Sequence, residues 1–95
     1  MVRQIHRFRF EHPGGFIEEQ VIWEVPRSPV QPEGYRYRLV YIHPDEETPR
    51  VLYDNHHPKG HHKHLGAEEF PYSFVSLGKL IEDFTKDVQK ANENL

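Results

Sequence analysis

The sequence has 95 residues, a formal net charge of −3 with histidine neutral, and no cysteine. That length allows one domain, residues 1–95, which buries about 60–65% of its unfolded surface around one modest core. The charge excludes the strongly basic class of nucleic-acid binder, and the lack of thiols excludes disulfide frameworks and thiolate metal sites.

Residues 2–11 predict a strand. Phe8 and Phe10 share one face, Arg7 and Arg9 the other, and Ile5 breaks the pattern by falling with the arginines. His12-Pro13-Gly14-Gly15 is a turn signal. Residues 16–25 alternate again. Ile17, Val21, Trp23 and Val25 share a face with Glu19; Phe16, Glu18, Gln20, Ile22 and Glu24 share the other. Residues 26–34 carry three prolines and a glycine, which demands a surface loop.

Residues 35–42 form a third strand, with Tyr35, Tyr37, Leu39 and Tyr41 on one face and Arg36, Arg38, Val40 and Ile42 on the other. A polar loop follows, then a short fourth strand over 50–54. Residues 61–64 are a short fifth strand or an extended loop. Residues 68–74 look irregular and anchored by aromatics. Ser76 is a plausible N-cap, and Leu77, Leu80, Ile81, Phe84, Val88 and Ala91 then follow helical spacing, so the helix should run from 77 to 91. Lys79, Glu82, Asp83, Lys86, Asp87 and Lys90 fall on its opposite face, and residues 92–95 should fray.

These elements give an α+β fold: an antiparallel four- to five-stranded sheet with one C-terminal amphipathic helix packed on one face. The other face should show the polar half of the strands, arginines included. Residues 1–7 lack the apolar core of a signal peptide, and no run approaches the roughly 18 apolar residues that span a bilayer. The expected protein is soluble and cytoplasmic, with no membrane partner.

The chemistry-bearing stretch is residues 53–64, Tyr53-Asp54-Asn55-His56-His57-Pro58-Lys59-Gly60-His61-His62-Lys63-His64, which holds five of the eight histidines. Three readings are open. In the first, histidines act as general acid and base without metal, as cleavage of RNA by its own 2′-hydroxyl requires, with cations steadying the phosphate. If the segment is extended, His62 and His64 share a face. Lys59, Arg36 and Arg38 are then candidate phosphate contacts, and Asp54 could orient an imidazole. In the second, His-x-His binds zinc, completed by Asp54, Glu68 or Glu69. In the third, these are solvated loop residues, and His6, His12 and His43 fit that class best. The tyrosines at 35, 37 and 41 suit either base stacking or, more simply, packing beneath the helix.

Tyr53-Asp54-Asn55, Lys59-Gly60-x-His62-x-His64, Pro71-Tyr72-x-Phe74 and Leu80-x-x-Asp83-Phe84 together resemble the TumE family of small toxins. Val21-Ile22-Trp23 and Tyr35-Arg36-Tyr37-Arg38-Leu39 are also similar, so the likeness covers about residues 16–88. It implies a toxin of bacterial or archaeal type II toxin–antitoxin systems, silenced by a small protein antitoxin. Many members carry an acid at the place of His61, which implies that His62 and His64 are the essential pair. The expected catalytic residues are His62, His64, Asp54 and Lys59. The expected substrate contacts are Arg36, Arg38, Asn55 and Tyr72. No metal or other cofactor is called for, and RNA and a second copy of the chain stand as further partners. The alternative is a histidine-rich domain that binds metal or protein without catalysis.

Overall fold

The computed structural model describes residues 1–93. Six strands run β1 (Arg3–Glu11), β2 (Ile17–Glu24), β3 (Tyr35–Ile42), β4 (Val51–Asp54), β5 (His62–Leu65) and β6 (Glu68–Pro71), followed by one helix, α1 (Leu77–Glu93). They pair in sequence order as one antiparallel sheet. The α+β class holds, with one strand more than the sequence suggests.

The additional strand is β6, which the sequence presents as irregular. A two-residue turn at Gly66-Ala67 folds it back on β5, with Gly66 at φ +63° and Ala67 on the negative side. Positive φ at the first central residue only is the type II′ hairpin, and glycine is the residue that takes it freely. The misfit of Ile5 also resolves. A β-bulge between Gln4 and His6 absorbs one residue, so Ile5 leaves the alternation.

α1 begins at a true cap: the Ser76 hydroxyl accepts from the Lys79 amide at 3.1 Å. Leu80, Phe84 and Val88 bury one stripe of the helix against Tyr37, Leu39, Tyr41, Val51 and Tyr53. The tyrosines of β3 therefore serve the core. Asp83 and Asp87, on the polar face by helical spacing, turn to the sheet instead of to solvent. Asp87 accepts from the Tyr53 hydroxyl and pairs with Lys63 at 3.1 Å, and Asp83 accepts from the Tyr72 hydroxyl at 2.7 Å. Both flank the apolar stripe and fasten the helix to the sheet. Nor does Asn92 fray, since its side chain accepts from the Tyr41 hydroxyl at 3.2 Å. Residues 94 and 95, also expected to fray, lie outside the described residues.

The helix packs over β4 and leaves β1 uncovered, so Phe8 and Phe10 stay 42% and 48% exposed. β2 consequently departs from a simple amphipathic strand. Its buried side carries Glu18 and Gln20 beside the core residue Ile22. Gln20 donates to Glu18 at 2.9 Å, His12 bridges to Glu18 at 2.9 Å, and His6 bridges to Gln20 at 2.8 Å. Its apolar side, Val21 and Trp23, stands half-buried on the open face beside Arg38 and Arg36.

Candidate functional site

Gly60, at φ +72°, turns the histidine segment into β5. Alternation then sends His62 and His64 to the open face and Lys63 to the helix side. The two imidazole rings lie 5.1 Å apart, nearly perpendicular.

Register supplies their neighbours. Asp54 on β4 sits opposite His62, and Glu69 on β6 sits opposite His64. His62 is buried, and its Nδ1 donates to the Gly60 carbonyl at 2.8 Å. A carbonyl only accepts, so Nε2 is the atom left to face the site. It lies 3.0 Å from Asp54 Oδ1. His64 Nε2 lies 3.3 Å from Glu69 Oε1. Lys59 Nζ reaches the same Glu69 oxygen at 2.6 Å. The Lys59 hydrogen bond, with the nearby charges of Lys59, His64 and His62, holds the Glu69 carboxyl below the usual carboxylate range, against an opposing push from desolvation.

A groove of about 340 Å³ adjoins this pair, lined by Val21, Trp23, Arg36, Arg38, Asp54 and His56. Asp54 is the common member, touching His62 on one side and the groove on the other. Arg38, Asp54 and His62 form a continuous row across β3, β4 and β5. Arg3, Arg9 and Arg50 pair with carboxylates, whereas Arg36 and Arg38 have no ion-pair partner among the described residues. The result is one open face holding the paired imidazoles of His62 and His64, a third imidazole from His56 at the groove, two carboxylates, a lysine and two uncommitted guanidiniums. Such a set can exchange protons and hold an anion.

The family model described as Toxin TumE matches residues 2–92. The chain belongs to the TumE toxin family. No curated protein and no solved structure matches it.

In this TumE toxin the motif residues divide between the two faces of the sheet. Asp54, Lys59, His62, His64, Arg36 and Arg38 gather on the open face. Asn55 does not, because it is buried and its amide is fully engaged. Its oxygen accepts from the Tyr37 amide at 3.0 Å and its nitrogen donates to the Tyr35 carbonyl at 2.7 Å, continuing the β3–β4 ladder with a side chain. Tyr72 lies on the helix side, donating to Asp83, where burial first and the Asp83 bond second push its phenol above the ordinary range. His61 also turns away. Its Nδ1 contacts the Tyr37 hydroxyl at 2.8 Å, its Nε2 contacts Glu33 at 2.9 Å, and its ring stacks on Tyr37 and Phe74. The bond from His61 lowers the Glu33 carboxyl pKa despite some desolvation.

Three groups on the open face carry no decisive sequence signal. Glu69 is indistinguishable from Glu68 until register puts it opposite His64. Trp23 and His56 join the groove only because β2, β3 and the end of β4 are neighbours.

The position of Asn55 yields a stability test. Asn55→Ala leaves the Tyr37 amide and Tyr35 carbonyl without a partner in a buried setting. The expected loss is about 1–3 kcal/mol by denaturant titration. An unchanged midpoint would show that the clamp is dispensable.

Proposed function

We propose that this protein is the toxin of a type II toxin–antitoxin pair and acts in the cytoplasm as a metal-independent endoribonuclease. The observation that carries the reading is the placement of His62 and His64 on one open face, rings 5.1 Å apart, beside a groove with two uncommitted arginines. One imidazole takes the 2′-hydroxyl proton of RNA, and the freed oxygen attacks the adjacent phosphorus. The other protonates the departing 5′-oxygen. A 2′,3′-cyclic phosphate and a 5′-hydroxyl result. The Gly60 carbonyl orients His62 through Nδ1, Asp54 beside Nε2 pairs with its protonated form, and Arg36, Arg38 and Lys59 hold phosphates. Trp23 offers a stacking surface to a base of single-stranded RNA.

The test uses purified toxin freed of its antitoxin, in chelator. RNA cleavage with cyclic-phosphate ends is expected. Cleavage that disappears with the chelator, or that leaves 5′-phosphate ends, overturns the mechanism.

The antitoxin is a small protein that silences the toxin by covering the arginine-bearing face. A basic groove on a chain of net charge −3 suits an acidic segment that folds on binding. Arg36→Glu with Arg38→Glu should weaken the complex and flatten its salt dependence. Binding measured at two ionic strengths checks this. Equal affinity in the double variant, with an unchanged circular dichroism spectrum, rejects this docking face.

A further inference from the structure

We propose that His62, His64 and Glu69 form a binding site for a divalent transition metal of the zinc class, and that the bound ion switches the open face off. The switching half rests on the catalytic reading above; the binding half stands on geometry alone.

One donor atom from each of the three side chains lies within 4.8 Å of the other two. A tetrahedral zinc site with bonds of about 2.0–2.2 Å sets its ligand atoms roughly 3.3–3.6 Å apart. His64 Nε2 and Glu69 Oε1, at 3.3 Å, already meet that spacing. Small side-chain rotations of His62 close the remainder. The backbone needs no movement, because the ligands project from β5 and β6, paired strands of one sheet.

A second observation concerns how His62 is held. Its Nδ1 donates to the Gly60 carbonyl, which leaves the Nε2 lone pair directed at the site. A backbone carbonyl behind the ring is the usual support of a metal-binding imidazole. Asp54 Oδ1, 3.0 Å from that Nε2, flanks the site from β4 without joining the three-residue cluster. Two nitrogens and one oxygen without thiolate suit zinc, and nickel or copper as well.

The three protein donors leave the fourth tetrahedral position to water. The ion would also occupy Nε2 of both histidines, the atoms that must exchange protons with RNA. Binding therefore inhibits. Lys59 opposes it, since its ammonium now occupies Glu69 at 2.6 Å. That side chain is 59% exposed and is free to swing into water.

Chelator-stripped toxin titrated with Zn²⁺ by calorimetry, and with Co²⁺ by visible absorption, should take up one ion per chain with a tetrahedral cobalt spectrum. His64→Ala and Glu69→Gln should each weaken binding about tenfold or more. Lys59→Met should tighten it, and His61→Gln, on the opposite face, should not change it. Absence of uptake, or equal affinity in His64→Ala and Glu69→Gln, overturns the site. Zinc should suppress RNA cleavage by the native toxin, and chelator should restore it. If cleavage instead requires zinc, the inhibitory role is overturned while the site stands. If zinc binds as described but neither form cuts RNA, it is the catalytic reading that fails.

Discussion

If the proposed ribonuclease activity arrests growth on expression, His62→Ala and His64→Ala should each abolish that arrest, whereas His56→Ala and His61→Ala should largely preserve it. Removing a general acid or base costs about 10²–10⁴ in rate, enough to bring a toxin below its effective dose. The two proposed catalytic positions share the open face, His62 buried beside Asp54 and His64 half-buried beside Glu69. His61 points to the helix side, so chemistry does not need it. Its variant is nonetheless not silent in stability. A ring stacked on Tyr37 and Phe74 and bonded at both nitrogens is a part of the fold, not a solvated loop residue. About 1–3 kcal/mol should be lost with it. Growth assays paired with soluble expression and melting curves separate the effects. An inactive but well-folded His61→Ala protein is the result that defeats a one-face mechanism.

The pairing of His62 with His64 was legible because it depends on alternation alone, a property of neighbouring residues. The partners of that pair were not. Asp54 meets His62, and Glu69 meets His64, through register across three strands, and register is fixed by turns. The decisive turn is Gly66-Ala67, two small residues between a histidine-rich segment and a pair of glutamates. Overlooking it removes β6, and with β6 goes the distinction between Glu68 and Glu69. Asn55 and Tyr72 belong to the motifs that carry the family likeness, which makes them candidate substrate contacts. A shared motif does not say which residues are held for folding, and both have their polar atoms occupied within the protein.

The same contrast holds for the fold. α1 and β3 could be read from their periodicity, since each faces the core on one side and water on the other. β2 could not, because that simple division fails where the helix does not reach. Its buried side sets Glu18 and Gln20, satisfied by His12 and His6, beside the core residue Ile22, and its open side sets Val21 and Trp23 beside Glu19. An apolar strip holding Trp23 next to free guanidiniums is a poor choice for a solvated surface. It suits the proposed role, in which this face accepts bases and phosphates or an antitoxin in their place.

Phe84→Ala should have the largest effect on stability, about 3–5 kcal/mol. The ring is fully buried at the centre of the helix stripe, and it meets Tyr53 edge-on with centroids 5.6 Å apart. Its loss opens a cavity between α1 and β4, the pair of elements that carries the helix contact. Nearby side chains cannot fill it easily. Leu80 and Val88 lie one turn away on the same stripe, and Tyr53 is tied through its hydroxyl to Asp87. Domains of this size hold about 5–15 kcal/mol in all, so the variant should keep only a part of its stability. Urea titration gives the cost directly, and a shift below about 1 kcal/mol would mean that the helix is not what closes the core. The cellular consequence differs from that of the histidine variants. Growth arrest should fade in Phe84→Ala in proportion to the loss of soluble protein, whereas His64→Ala should lose arrest at full abundance. Comparing arrest per unit of soluble toxin in the two variants thus separates the scaffold from the chemistry it supports.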